Sequence, residues 1–241
     1  TKTTILIPSG TAANAPVPAD GSLGKTWTRI GFDDAAWDEV ATGVGYDEDS
    51  TYIPEFGAGG NLGNRLNNVN TSLYLRVLFD VADAPAISEL TLKMKYDDGF
   101  AAFLNGVRVA VSNSPASTTW NSEATGNHAD GDATTYKAFN ITAHAHLLNT
   151  GANVLAIQGL NTSITSSDML ISPELHAVRI TDPSIGGPGY LGTPSPGTFN
   201  GDTFGGFVGD TKFSVDRGFF KTPFGVRITT DTVDAEIRYT R

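Results

Sequence analysis

Two groups of acidic residues are the features of this sequence with the clearest chemical potential. Asp97 and Asp98 are adjacent, and Asp47, Glu48 and Asp49 form a second group. Paired carboxylates can serve as acid and base around a glycosidic bond, but neighbouring residues of a strand point to opposite faces. Asp97 and Asp98 are therefore not expected to flank one bond. Clustered carboxylate oxygens can also hold calcium, which accepts roughly six to eight oxygen ligands.

The sequence predicts a structural calcium site with Asp47, Asp49 and Asp98 as candidate metal ligands. The alternative for Asp47 and Asp49 is a solvated acidic loop, because D-x-D spacing alone lacks the further ligands of a complete calcium loop. The alternative for Asp98 is a turn residue, with Gly99 bending the chain into the next strand and Asp97 facing solvent. Calcium is the one cofactor that we expect.

Aromatic and amide residues in polar stretches indicate a second chemistry, the recognition of sugars. A sugar site combines an aromatic plane against pyranose C–H groups with amides or carboxylates for the hydroxyls, usually in loops. The candidate ligand-binding residues are Trp120, Tyr46, Tyr52, Asn161 and Asp168. For Trp120 inward packing is an equal alternative, because tryptophan is mostly buried in proteins.

The sequence lacks the motifs of the common catalytic sites. It has no nucleophile elbow, H-E-x-x-H, phosphate loop or dinucleotide fingerprint. No nearby cysteine or well-spaced acid completes a transition-metal set with His128, His144, His146 or His176, so structural roles are expected for these histidines. We therefore expect a protein that is not an enzyme and has no catalytic residues.

Composition limits the partners and the location. The 241 residues carry 16 Lys and Arg against 26 Asp and Glu, and the net charge of −10 disfavours nucleic acid as a partner. Cysteine is absent, so disulfides and Cys-ligated zinc are excluded. No apolar run approaches the length of a membrane span, and membrane insertion is not expected. No signal peptide opens the sequence, as expected of a mature or trimmed chain, and this is compatible with earlier export.

The elements that position these residues are predicted to be strands. Apolar and polar residues alternate over residues 73–79 and 90–96, the period of a half-buried strand, and we expect these two strands to pair antiparallel. Residues 154–160 are apolar enough for a strand covered on both faces, and residues 174–180 predict a closing strand. Residues 142–148 form the best helical candidate, with Thr142 as a possible N-cap.

A hairpin signal lies between residues 100–104 and 107–111. Asn105 and Gly106 separate these two strand patterns, and both residue types tolerate the positive φ that a type I′ turn requires. The sequence therefore predicts a two-residue hairpin at this point.

Composition also divides the chain into three parts. Residues 1–182 carry the strong strand pattern, residues 183–209 are rich in Gly, Pro, Ser and Thr and predict a linker, and residues 210–241 predict a short β unit. The strands expected in this last part are 212–215, 226–230 and 235–241.

Motifs over residues 1 to about 180 resemble those of galactose-binding-domain-like jelly rolls in large secreted bacterial proteins. The motifs that carry the resemblance are Trp27, 32–37, 43–46, 96–106 and 151–157. The resemblance implies an all-β jelly-roll β-sandwich, a secreted or cell-surface location, and framework positions for Trp27 and Trp37. The family includes carbohydrate binders, adhesion modules and architectural domains, so the fold alone does not decide the function.

Residues 213–220 and 235–240 are similar to the first half of the sandwich at the C-terminus of chitobiase-like enzymes. In those enzymes further strands follow, whereas this sequence ends at Arg241. We expect the short unit either to fold back on the jelly roll or to be completed by a neighbouring chain, through self-association of residues 205–241.

Two functions follow as expectations. The first is a non-catalytic carbohydrate-binding module of a secreted or cell-surface protein, with a glycan as its ligand. The alternative is a structural or adhesive subunit that assembles by strand or surface complementation with a neighbouring chain.

Overall fold

Alternating apolar residues build two antiparallel sheets in the first part of the chain. The chain divides into two units, Thr1–Ile180 and Thr181–Arg241. The computed structural model describes residues 1–180, 190–191, 203–204, 211–215 and 218–230.

Strands are the main regular elements of the first unit. In chain order they are β1 Lys2–Ile7, β2 Ala12–Ala15, β3 Asp38–Ala41, β4 Val44–Asp47, β5 Ser72–Val81, β6 Ile87–Asp97, β7 Gly99–Leu104, β8 Val107–Ser112, β9 Lys137–Asn140, β10 Gly151–Leu160 and β11 Asp168–Arg179. Between them lie one short α-helix, α1, Asp130–Ala133, and 3₁₀ turns at Thr26–Thr28, Ile53–Glu55, Gly63–Arg65 and Thr142–Leu147.

The strands form a five-stranded and a six-stranded sheet. In the first, β11 pairs with β1, β4 and β6, and β6 also pairs with β9. In the second, the order is β3-β2-β5-β10-β7-β8. The pairs in both sheets are antiparallel. The expected all-β class, consistent with a β-sandwich, is confirmed.

The hydrophobic core lies between the two sheets. Leu75 and Ile157 enter it from the six-stranded sheet, and Leu92 and Leu175 from the five-stranded sheet, all without exposed surface. Burying each such side chain contributes about 1.5–3 kcal/mol relative to leaving it in water. The two sheets come close together at Gly159, where a Cβ atom would lie 2.6 Å from Ile171 Cγ1.

We expect Gly159→Ala to lower the free energy of unfolding by about 1–3 kcal/mol, because the added methyl group overpacks the core against Ile171 and Leu73. Gly31→Ala is the matched control, since a Cβ there meets nothing within 4 Å. Urea unfolding of both variants measures the difference. Equal midpoints for the two alanine variants would contradict this close approach of the sheets.

A second hydrophobic cluster, rich in aromatic rings, lies on the outer face of the six-stranded sheet. Trp27 stacks on Tyr74 with ring centroids 3.9 Å apart and meets Phe103 edge-on at 6.0 Å. Trp27 is 2% exposed, so its expected inward packing is confirmed, whereas Trp37, expected to pack in the same way, is only half-buried. With this cluster outside and the core inside, residues 72–77 of β5 and 153–160 of β10 are buried on both faces.

Residues 27–34 form a covering segment on the outer face of the six-stranded sheet, and Arg76 of β5 holds this segment in place. Its Nε donates to Asp34 Oδ2 at 2.7 Å, and its Nη1 donates to the backbone carbonyls of Trp27 and Arg29. The Arg76 side chain is fully buried. The buried guanidinium of Arg76 therefore holds three residues of a segment that has little regular structure of its own.

Two local predictions meet different outcomes. The Asn105-Gly106 hairpin is confirmed, with φ of 50° and 93° and Leu104 opposite Val107. The expected pairing of the strands at 73–79 and 90–96 is wrong, because β5 and β6 belong to opposite sheets. Each strand directs its leucines into the shared core, so alternation alone does not distinguish pairing within a sheet from packing between sheets.

The helical candidate is a 3₁₀ turn, Thr142–Leu147. Thr142 is not its N-cap, because Ile141 occupies that position. The Thr142 hydroxyl instead accepts the backbone N–H of Leu90 at 3.0 Å, which ties the turn to β6.

In the second unit the described residues form two short antiparallel pairs. β12, Tyr190–Leu191, pairs with β13, Thr203–Phe204, and β14, Lys212–Phe213, pairs with β15, Ile228–Thr229. The strand expected at 235–241 lies outside the described residues, as does most of the expected linker. Self-association through 205–241 therefore stays a prediction.

Across the described part of the chain, no helix has the length and apolar character needed to cross a membrane.

Candidate functional site

A pocket of about 400 Å³ opens at one end of the sandwich, where β6 and β10 end and β11 begins. Antiparallel pairing sets Leu170 of β11 opposite Asp97 of β6, so the end of one strand meets the start of the other. The polar side chains that line this acidic pocket include Asp97, Asp98, His128, Asp130, Thr162, Ser166 and Asp168.

Three of these carboxylates form a tight cluster. One oxygen from each of Asp97, Asp130 and Asp168 lies within 4.8 Å of the others. Asp97 is buried, Asp168 is half-buried and Asp130 is exposed, so the cluster extends from the protein interior to solvent. None of the ion pairs among the described residues involves these acids. A cation would therefore find oxygen ligands that no basic side chain already neutralises.

The electrostatics of the pocket follow from burial and crowding. Burial raises the pKa of Asp97 to about 8; the hydrogen bond from Tyr52 acts to lower this pKa, and the neighbouring carboxyl groups of Asp98 and Asp168 act to raise it. Burial also raises the pKa of Asp168 to about 6, with the charges of Asp130 and Asp47 adding to the effect. At neutral pH the pocket therefore favours a bound proton or a bound cation on Asp97.

Asp98 fastens the two loops that form the pocket walls. Its Oδ1 accepts the backbone N–H of His128 at 3.1 Å, and its Oδ2 accepts the N–H and hydroxyl of Thr162 at 3.0 and 2.8 Å. Asp98 lies between β6 and β7, outside the strand alternation, so it and Asp97 line the same pocket. The expectation that Asp97 faces solvent is wrong, because it is 2% exposed beneath these loops.

Three predicted sugar-binding residues support the pocket from inside. The Tyr52 hydroxyl donates to Asp97 Oδ2 at 2.5 Å. The Tyr46 hydroxyl donates to the Ser166 carbonyl at 2.7 Å and accepts from Asn161 Nδ2, which also donates to the Asp168 carbonyl. Burial raises the pKa of Tyr46 to about 12. Both tyrosines are buried, so neither ring presents a face for a sugar in this structure.

The predicted Asp47–Asp49 group lies beside the pocket but has a local role. Asp47 Oδ1 accepts the N–H of Asp49 at 2.8 Å, and Asp47 Oδ2 accepts the N–H of Tyr52 at 2.5 Å. These hydrogen bonds close the acidic loop and bring Tyr52 under Asp97. The Asp49 side chain is exposed and is not part of the carboxylate cluster.

Trp120 lies at the same end of the sandwich without lining the pocket. It is half-buried, and its ring lies against Gly21, where a Cβ atom would be 3.1 Å from Trp120 Cδ1. Its loop continues to Ala124, whose N–H donates to the Asn161 carbonyl at 2.8 Å. A sugar that fills the pocket therefore does not need to contact this ring.

The structure thus brings most of the predicted residues to one end, and adds two that sequence reasoning missed. The predicted residues that lie in or directly under the pocket are Asp98, Asp168, Tyr46, Tyr52, Asn161 and Asp47. The missed residues are Asp97, which was expected to face solvent, and Asp130, which belongs to no recognisable motif. The only sequence signal for Asp130 was that it lies two residues after His128.

No known protein-family model matches the chain, and no curated protein is similar to it at a significant level. The chain is similar in fold to parts of three solved glycosidases. One is Bacteroides uniformis beta-glucuronidase 2 covalently bound to cyclophellitol-6-carboxylate aziridine, at 15% identity and a TM-score of 0.45, over 74% of this chain and 18% of the enzyme.

The second is an uncultured Clostridium sp. beta-glucuronidase, at 9% identity and a TM-score of 0.44, over 74% of this chain and 29% of the enzyme. The third is an Amycolatopsis orientalis exo-chitosanase, at 15% identity and a TM-score of 0.37, over 70% of this chain and 20% of the enzyme. The chain spans less than a third of the length of each. Its fold and site define an all-β sandwich with an acidic pocket at one end.

Proposed function

We propose that residues 1–180 are a galactose-binding-domain-like jelly-roll module of a secreted or cell-surface protein, which binds carbohydrate without catalysis. The acidic pocket is the binding site, and a calcium ion joins the protein to the sugar. The single observation that supports this most directly is the cluster of Asp97, Asp130 and Asp168 oxygens within 4.8 Å of one another.

Calcium fits the chemistry of this cluster. It is a hard cation that takes roughly six to eight oxygen ligands with flexible geometry, and three carboxylates offer part of that number. The positions left over on a calcium ion at the pocket mouth suit the vicinal hydroxyls of a sugar. The exposed position of Asp130 leaves this side open, whereas Asp97 lies at the closed side.

The same arrangement supports a binding role over a catalytic one. A carboxylate that coordinates calcium is no longer free to transfer a proton to a leaving group. Asp97 is also engaged by the Tyr52 hydroxyl, and Asp98 by three donors from the pocket walls. The acids of the pocket are therefore occupied with holding an ion and shaping its walls.

Glycan-array or affinity-gel screening of neutral glycans tests the proposal. We expect binding in calcium buffer, its loss in EDTA, and a decrease in affinity of roughly tenfold or more for Asp168→Asn, because a charged ligand of the ion is removed. Asp49→Asn is the matched control, since its exposed side chain lies outside the cluster. We expect the control to bind like the wild type.

Three results would contradict the proposal. The absence of binding to any glycan at millimolar concentration would remove the carbohydrate-binding role. Binding that is unchanged in EDTA would show that calcium is not needed for binding. Release of reducing sugar during the screen would show that the module is an enzyme.

A further inference from the structure

A second pocket, of about 250 Å³, lies beside Trp37. We propose that this Trp37 pocket is a second carbohydrate subsite, which takes a neutral pyranose unit without a metal ion. The inference extends the proposed carbohydrate-binding function to a separate set of residues. The lining residues that carry it are Pro16, Trp37, Asp38, Leu62 and Arg65.

Trp37 supplies a fixed aromatic surface. Its ring is half-buried, with its centroid 5.2 Å from the ring of Phe32 and 6.5 Å from that of Tyr74. Its backbone N–H donates to the Asp34 carbonyl at 2.9 Å. Because the ring is already held in place, contact with the C–H face of a sugar costs little conformational entropy.

Arg65 and Asp38 supply a donor and an acceptor side by side. Their side chains form an ion pair and remain 49% and 56% exposed, so both can still bind a ligand. Neighbouring hydroxyls of a pyranose can accept from the guanidinium and donate to the carboxylate. Because the two charges balance each other, the pair suits a neutral sugar better than a uronate.

Apolar residues complete the pocket. Leu62, which is 3% exposed and belongs to the core, lines the pocket together with Pro16. An aromatic ring beside a few well-placed polar groups can fix the orientation of a small polar ligand. The volume of about 250 Å³ suits one sugar ring rather than a larger ligand.

Hydrogen bonds connect the two pockets across one end of the sandwich. The Pro18 carbonyl, close to Pro16, accepts from Asn70 Nδ2 at 2.7 Å. The next residue, Thr71, accepts the backbone N–H of Asn161 through its carbonyl at 2.8 Å, and Asn161 lies under the acidic pocket. Residues beside the two pockets are therefore linked through Asn70, Thr71 and Asn161, so we expect one branched or extended glycan to reach both.

The three tryptophans make a direct test possible by nuclear magnetic resonance. The indole N–H signals of Trp27, Trp37 and Trp120 report on three separate places, and Trp37→Phe identifies the Trp37 signal. We expect methyl glycosides of galactose, glucose and mannose, added to about 10 mM in EDTA, to shift the Trp37 signal for at least one sugar, with a Kd of about 1 mM. The buried Trp27 is the internal control.

Arg65→Met should weaken this binding roughly tenfold, because it removes the hydrogen-bond donor of the subsite. Arg29→Met is the matched control, an exposed arginine outside both pockets, and should leave the affinity unchanged. Asp168→Asn should also leave the Trp37 shift unchanged, since the subsite does not use the acidic pocket.

The outcomes separate this inference from the proposed function. A Trp37 signal that no sugar moves would overturn the subsite, even if calcium-dependent binding at the acidic pocket is found. A Trp37 shift weakened by Arg65→Met, together with no effect of calcium or Asp168→Asn on any glycan, would support the subsite and overturn the role of the acidic pocket. Equal weakening by Arg65→Met and Arg29→Met would also overturn the subsite.

Discussion

Replacing Arg76 with methionine is expected to lower the free energy of unfolding by about 3–5 kcal/mol, a large part of the stability of an ordinary domain. The loss has two sources. Asp34, buried beside Arg76, would keep a charge without its partner at 2.7 Å. The carbonyls of Trp27 and Arg29 would lose their shared donor. The covering segment, which includes Trp27, would then pack less tightly on Tyr74.

Arg65→Met is the matched control, because its ion pair with Asp38 is about half exposed. Exposed pairs contribute up to about 1 kcal/mol, so this variant should unfold close to the wild type. The double variant Arg76→Met/Asp34→Leu should recover part of the loss, since no buried charge remains unpaired. Urea unfolding followed by tryptophan fluorescence measures all three. An Arg76→Met variant as stable as Arg65→Met would show that the covering segment does not depend on this cation.

In calcium-free buffer the protein is expected to lose stability as the pH rises from about 4 to about 8, and Asp97→Asn is expected to remove most of that loss. The pKa of Asp97 is about 8 in the folded chain against an ordinary value of 3.8, so the folded state holds a proton that the unfolded state has released. Stability is therefore fully present below the ordinary pKa and falls until the pH reaches the folded pKa.

The size of this effect is up to roughly 6 kcal/mol, from about 1.4 kcal/mol for each of about four pKa units. Asparagine resembles the protonated acid, since it can accept from Tyr52 and donate to the neighbouring Asp98. The variant should match the wild type near pH 4 and exceed it at pH 8, as measured by melting temperature in EDTA. Asp168, with a pKa of about 6, leaves a smaller dependence of the same sign in the variant.

Asp20 is the control of opposite sign. Hydrogen bonds from Ser22 lower the pKa of this exposed carboxyl, so its charge favours the folded state. Asp20→Asn should therefore give no gain in stability at pH 8. A similar gain from Asp20→Asn and Asp97→Asn would show that the effect comes from net charge and not from the burial of Asp97.

Much of the fold could be predicted from local sequence patterns. Alternation over residues 73–79 and 90–96 predicts half-buried strands, and both segments are strands. Asn105-Gly106 predicts a hairpin because these residue types tolerate positive φ, and the turn has that geometry. Such signals depend only on neighbouring residues, which is why they can be recognised without the tertiary structure.

The sequence by itself determined the strand pattern, the all-β class and the acidic character of the chain. Only the tertiary structure decided which strands share a sheet, and only it brought Asp97, Asp130 and Asp168 together. The pairing of Leu170 with Asp97 joins residues far apart in the chain, and no local pattern encodes its register. The physical reason is that alternation specifies which face of a strand is buried, while the partner of that strand depends on packing across the whole core.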